Sequence, residues 1–181
     1  MAPVDLKGFY AYLLWSREAL WRALEGVSEE ALERPLVPRK RLKSVKALLL
    51  HTAVVEDAWL HEDILRAPMV LAGFPEVEAV LEREGEGLPL RALRAYQEAV
   101  GRATWAFLQG PVDENQVVAL HDAPEERYSL GDLLWHAFLH EVRHLAQVVL
   151  LLRLLGVEPS ALDLYFFLRK EAAKGGRGEV F

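Results

Sequence analysis

Ser129-Leu130-Gly131-Asp132-Leu133-Leu134-Trp135-His136-Ala137-Phe138-Leu139-His140-Glu141-Val142-Arg143-His144-Leu145-Ala146-Gln147 opens on a helix cap and then places a histidine at every fourth position. Ser129 and Asp132 form an S-x-x-D variant of the capping box, which supplies partners to the first-turn N–H groups that helix geometry leaves free. The apolar pattern runs on to Leu155 and stops before Gly156, predicting the longest and most apolar helix of the chain. Within it His136, His140 and His144 make two steps of four residues. Side chains at i and i+4 share a face, with Cβ atoms about 5 to 6 Å apart, so two imidazoles can converge on one metal ion. An i, i+8 pair is too far apart. At most two of the three therefore serve one ion, and a third ligand must come from another helix.

Three more helical segments precede this one. The first runs from about Asp5 to Leu24, with Leu6, Phe9, Tyr10, Leu13, Leu20 and Leu24 on one broad face before Gly26. Ser28 then caps a short acidic turn that stops at Pro35. Ser44 caps the next helix, whose stripe of Val45, Leu48, Thr52, Val55 and Trp59 ends near Ala67-Pro68. A third runs from about Leu90 to Leu108, with Leu93, Tyr96, Val100 and Phe107 spaced for burial and a stop at Gly110-Pro111. After the long helix, Pro159-Ser160-Ala161-Leu162-Asp163 repeats the cap logic for a short terminal helix through Phe166, Phe167 and Leu168. The chain reads as one domain over residues 1–174 with a flexible tail at 175–181. The connections near 68–88 and 111–128 are long for a bundle, so each contains extra structure or lies over a site. Val117-Val118-Ala119-Leu120-His121 reads as a brief extended piece that cannot make a sheet alone.

Composition supports the helical reading. Leu occurs 33 times and Val 18, against one Ile and two Thr among 181 residues; unbranched Leu suits helices, whereas strands favour β-branched residues. A net charge of −6 and a pI near 5.6 lack the basic footprint of a nucleic-acid binder. Charges interrupt every apolar run short of the roughly 20 residues that span a bilayer, and no signal peptide opens the chain, so a cytoplasmic protein without a membrane partner is expected. Zero Cys removes disulfides, thiolate ligands and a cysteine nucleophile together, leaving His and carboxylates as the only metal ligands. A single Asn and an excess of Arg over Lys, 15 against 6, suit a thermophile.

His51 is the best candidate for the third ligand. It lies mid-helix among Leu48, Leu49, Leu50, Ala53 and Val54, where a neutral core imidazole needs partners for its nitrogens. His140-Glu141-Val142-Arg143-His144 also satisfies H-E-x-x-H, the zinc-binding motif of metallopeptidases. Its context is poor: no metzincin extension follows His144, and no strand edge is at hand to hold an extended peptide.

Two segments resemble the DinB/YfiT-like superfamily. Ser44-Val45-Lys46-Ala47-Leu48-Leu49-Leu50-His51, followed by Glu56-Asp57-Ala58-Trp59-Leu60, is similar to that family's His-bearing second helix. The run from Ser129 to His136, then His140, His144 and Gln147, with Arg153-Leu154-Leu155-Gly156 and Leu162-Asp163 beyond, is similar to its later helix. Leu145-Ala146 stands where many members have Arg-Gly. The resemblance implies an all-α, DinB-like four-helix bundle with a short C-terminal helix, holding one divalent metal ion through His51, His140 and His144, with His136 behind the ligands or in the core. It further implies a homodimer and a small-molecule substrate, in some relatives a low-molecular-weight thiol, with thiol-dependent S-transferases among the characterised members and many members without a known activity.

Three ligands leave room for water or substrate, and a bound divalent ion lowers the pKa of either a water or a thiol. The expected activity is therefore thiol S-transfer or hydrolysis of a small substrate; a non-catalytic metal-binding or structural bundle is the alternative. Imidazole suits zinc, nickel, iron or copper. Glu141, about 60° around the helix from His144, is positioned either as a general base or on a salt-bridged face. Gln147 either hydrogen-bonds within the site or bridges helices. Glu56 and Asp57 are expected to face solvent or pair with Arg, His61 points about 80° away from His51, and His121 reads as a surface loop residue. Trp15, Trp21, Trp59, Trp105 and Trp135 read as core or interface anchors, with a pocket wall as the alternative for Trp59 or Trp135.

Overall fold

A computed structural model describes residues 4–38 and 40–175. α1 (Leu6–Leu24) starts where Asp5 accepts a hydrogen bond from Gly8 N, and Ser28 caps the short α2 (Glu29–Glu33). Ser44 caps α3 (Val45–Ala58) through Ala47 N. Where the sequence predicts one helix on to Ala67, α3 gives way at Trp59 to a widened π-helical segment, Trp59–Leu65, which Arg66 closes in the left-handed conformation. Apolar periodicity does not register that change, because Leu60 and Ile64 still fall four residues apart.

The two long connections both contain structure. Residues 68–88 form a 3-10 turn (Val70–Gly73), the single-turn α4 (Pro75–Glu78) and a second 3-10 turn (Leu81–Arg83). Buried Asp57 anchors them, accepting from Val70 N at 3.0 Å, Leu71 N at 2.9 Å and the Tyr96 hydroxyl at 2.8 Å. After α5 (Leu90–Gln109) comes a hairpin: β1 (Val117–Ala119) pairs antiparallel with β2 (Arg127–Ser129), Val118 opposite Tyr128. The extended piece at 117–121 thus has a partner, one whose Arg-Tyr-Ser sequence carries no apolar alternation. Ser129 ends β2 and caps α6 (Leu130–Leu154), accepting from Asp132 N and donating to Asp132 Oδ2. α7 (Leu164–Gly175) begins four residues beyond Ser160, where the cap pattern is strongest; the Tyr12 hydroxyl donates to the Leu162 carbonyl at 2.8 Å and ties the preceding segment to α1. Of the tail expected at 175–181, Gly175 closes α7 and the rest lies outside the described residues.

α1, α3, α5 and α6 make the bundle. α3 packs on α5 and α6, and α1 packs on the same two, so α1 and α3 face each other across the core. Tyr10, Leu13, Leu48, Leu93, Tyr96, Val100, Phe138, Val148 and Leu152 fill that core, each apolar side chain contributing about 1.5–3 kcal/mol by leaving water. Among the described residues no helix is long and apolar enough to cross a membrane.

Charges are also buried, and each is matched. Lys46 donates to Glu29, to Glu33 at 2.7 Å and to the Leu88 carbonyl at 2.8 Å, which pins α2 and the start of α5 onto α3. Arg17 lies between two carboxylates: its Nε donates to Glu141 Oε1 at 2.6 Å, and its Nη2 donates to Glu141 and Glu56. Glu56 Oε1 also accepts from Thr104 at 2.7 Å and from the Tyr10 hydroxyl. This network joins all four bundle helices. A Cβ at position 101 would come within 3.1 Å of Arg17 Nη1, so Gly101 is what lets α5 approach the guanidinium.

Candidate metal centre

The α3–α6 contact is the most extensive in the bundle, and it carries the histidines. His51 projects from α3, His140 and His144 from successive turns of α6. Their ring centroids lie 5.1 Å (His51–His140), 4.8 Å (His51–His144) and 4.4 Å (His140–His144) apart. One ligand nitrogen from each falls within 4.8 Å of the other two. The Nε2 atoms of His140 and His144 stand 3.1 Å apart, close to the roughly 3.3 Å that two ligands about 2.05 Å from a tetrahedral ion require. The donor set fits a divalent ion: the three imidazoles are gathered so that they could hold one.

The surroundings of His51 and His140 favour the neutral imidazole, the state in which it ligates. Burial, reinforced by His144, His51, Arg143 and His136, pushes the His140 pKa down to about 4. His51 is lowered by burial first, then by the charges of His144, Arg41 and Arg143. Gln147 Oε1 accepts from His144 Nδ1–H at 2.8 Å, which fixes the tautomer that leaves the Nε2 lone pair toward the cluster. Of the two expectations for Gln147, the contact within the site is the one found. His136 is exposed, so the core reading of it does not hold; its ring stacks 6.3 Å from His140 and meets Trp59 edge-on at 5.0 Å.

The remaining expectations sort cleanly. Glu141 is buried with both carboxylate oxygens engaged by Arg17, which corrects its reading as a general base and places it on the salt-bridged face. Burial raises its pKa while Arg17 opposes that rise. Glu56 pairs with Arg17, inside rather than at the surface, and Asp57 is fully buried on backbone amides, Tyr96 and His61, whose Nδ1 lies 2.7 Å from it. His61 and His121 both stand apart from the cluster; His121 is exposed beside Arg66. Trp59 lines a cavity of about 410 Å³ with His136 and Tyr128, whereas Trp135 packs on Phe9.

Two features escaped sequence reasoning. Arg17 continues the stripe of Leu13 and Leu20 at i+4 and i−3, so a charge standing on an apolar face was the available signal. The second is a cavity of about 220 Å³ that reaches His51 between Arg41, Leu42, Leu50, Val54, Glu82 and Glu84; α3 supplies one wall and the segments around residues 41 and 82 the others, a juxtaposition of which periodicity carries no trace. A family model described as the DinB family matches residues 3–177. No curated protein matches the chain.

Proposed function

The chain belongs to the DinB family, and on that premise, together with its open face of three imidazoles, we propose that it is a metal-dependent enzyme acting on a small molecule. The reaction is transfer of a low-molecular-weight thiol, with hydrolysis of a small substrate as the second reading. The observation that carries it is the cavity beside His51, lined by charged as well as apolar side chains. A metal that only staples helices needs no such opening.

A divalent ion held by His51, His140 and His144, whether zinc, nickel or iron, supplies a concentrated positive charge that lowers the pKa of an incoming water or thiol. The chain's own residues do the rest. Packing of α3 on α6 sets the spacing of the imidazoles, Gln147 holds the His144 tautomer, and the half-buried positions of His51 and His140 keep one side accessible. Engagement of Glu141 by Arg17 removes the carboxylate that an H-E-x-x-H peptidase uses on water. That favours the thiol: its pKa of about 8.5 lies far closer to neutrality than the 15.7 of water, so it needs less help in losing its proton. With no Cys in the chain, the thiol arrives as a substrate.

The test starts from metal-stripped protein loaded in turn with zinc, nickel and iron and measured by elemental analysis. About one ion per chain is expected in the wild type, and a large loss in His51→Ala and His140→Ala. Undiminished metal in both variants would falsify the site. A panel of small thiols against electrophiles, and of small esters and amides, then separates transfer from hydrolysis; inactivity in both panels of the loaded protein would leave a structural bundle.

A further inference from the structure

The contact between α1 and α5 involves neither of the helices that carry the histidines. Two stripes meet there. Leu14, Arg17 and Trp21 on α1 follow one another at steps of three and four residues, and Gln97, Gly101 and Trp105 on α5 at steps of four, so each set lies on one helix face. Between the two stripes is a cavity of about 240 Å³, larger than the apolar cavity of about 150 Å³ that admits one benzene ring. Leu14, Trp21 and Trp105 make its walls mostly apolar, and the exposed Glu18, Glu98 and Arg102 stand at its mouth.

What marks this cavity as a site is a buried polar group left without a partner. Gln97 is 2% exposed. The Trp21 indole N–H can only donate, so the Gln97 atom that meets Trp21 Nε1 at 2.8 Å is the carbonyl Oε1. That leaves the amide Nε2, with two N–H donors and no partner among the described residues, on the other arm. Only Ser16 Oγ among those residues is both sealed from solvent and unpartnered, so Nε2 opens on the cavity that Gln97 lines. A donor unmet at such depth is costly and rare in native structures. Beside it, Arg17 Nη1 gives one of its two hydrogens to the Tyr10 hydroxyl at 3.3 Å. Gly101 leaves that nitrogen uncovered, since a Cβ there would lie 3.1 Å from it and 3.3 Å from Leu14 Cδ2. The indoles are held in advance: Arg94 lies 5.8 Å over Trp21, and Trp105 has Tyr10 stacked at 6.3 Å and Lys7 at 5.8 Å. Donors at the base select an acceptor. An anion is disfavoured, because Arg17 already faces the two carboxylates of Glu56 and Glu141, and the mouth carries two more, Glu18 and Glu98, with Arg94 bonded to both.

We propose that the cleft between α1 and α5 is a second binding site, for a neutral, flat molecule of one or two rings that carries a carbonyl acceptor. The carbonyl meets Gln97 Nε2, and the rings lie against Trp21 and Trp105. The site uses no residue of the histidine cluster and stands independently of metal binding there.

The test uses the full chain labelled with nitrogen-15, whose five Trp residues give five indole N–H signals, those of Trp21 and Trp105 being assigned through Trp21→Phe and Trp105→Phe. The probes are 1-indanone; indane, which lacks only the carbonyl; and indane-1-carboxylate, which makes the acceptor anionic. In the wild type, 1-indanone is expected to move the signals of Trp21 and Trp105 while those of Trp15, Trp59 and Trp135 stay in place. It should bind about fivefold or more tightly than either other probe, the effect of one hydrogen bond. Gln97→Met keeps the length of the side chain without its N–H donors and should bring 1-indanone and indane to within about twofold of each other. Leu14→Trp fills the cavity while leaving the donors in place and should abolish the shifts. The site is overturned by no shift at Trp21 and Trp105 in the wild type up to the solubility limit of 1-indanone, or by a wild-type titration in Leu14→Trp. Tighter binding of the carboxylate, or an unchanged preference for 1-indanone in Gln97→Met, overturns the assigned ligand class. Should Gln97→Met prove unfolded by circular dichroism, the wild-type probe series and Leu14→Trp decide between the same outcomes.

Discussion

His140 and Glu141 are adjacent in the chain and about 100° apart around α6, and the two sides of the helix they face are built in opposite ways. Glu141 looks inward to a closed network, where Arg17, Glu56, Tyr10 and Thr104 engage one another in the middle of the bundle. His140 looks to a half-exposed cluster where imidazole nitrogens stand 3.1 Å apart with no carboxylate among them. Complete engagement spends a carboxylate's chemistry on holding four helices together, because every acceptor is already met. Acceptors gathered on one open face keep their chemistry for something that arrives from solution. One helix keeps the two apart simply by phase.

The contrast breaks most visibly at Arg17. Arg17→Leu leaves two buried carboxylates without a counter-charge, and a loss of about 3–5 kcal/mol is expected, read as a fall in the urea midpoint. Glu141→Gln keeps Arg17 paired with Glu56 and should cost less, about 1.5–3 kcal/mol, with metal content unchanged; a loss of bound metal comparable to that of His140→Ala would show that Glu141 belongs to the cluster after all. On the other side of α6, Gln147→Ala frees the His144 tautomer, and a 10- to 100-fold weakening of metal affinity is expected with little change in apo-protein stability, measured by competition with a chelator. Affinity equal to wild type would reduce Gln147 to a bridge between turns.

The last effect is the response to acid. The His140 pKa is about 4 in the folded protein against about 6.5 in an unfolded chain, so the unfolded chain binds the proton more readily. The contribution of this group to stability is complete above about pH 6.5 and is lost as the pH falls toward 4. Urea unfolding of metal-free protein across that window should show a shallower decline in His140→Ala than in wild type; identical slopes would mean that burial of the ring is incidental.

How much of this was legible in the sequence follows the range of the interactions. Caps at Ser28, Ser44 and Ser129 involve residues three apart and were readable to the residue. The pairing of His140 with His144 is equally local, and His51 was reachable as a polar group stranded in an apolar helix. The partners of Arg17 lie 39 and 124 residues away; a stripe predicts that such a charge goes inward but not what meets it there. The hairpin was half visible, since Val117-Val118-Ala119 has strand composition and Arg127-Tyr128-Ser129 does not. The exposure of His136 turns on which side of α6 the α3 contact covers, a choice between faces that spacing alone leaves open.

The junction between hairpin and α6 bears on how the protein can move. Ser129 is at once the last residue of β2 and the cap of α6, Leu130 N donates to Gln116 O at 2.8 Å, and Gly131 N donates to Glu114 O at 2.9 Å. A side chain at Gly131 would meet Glu114 at 3.1 Å, so the two strands of chain are in contact at their closest approach. There is no slack residue between hairpin and helix to serve as a hinge. Hairpin and His-bearing helix are therefore coupled like the arms of one bracket: swinging the hairpin away from the His136 side would unmake the first turn of α6, and the mouth on that side behaves as fixed geometry rather than as a door.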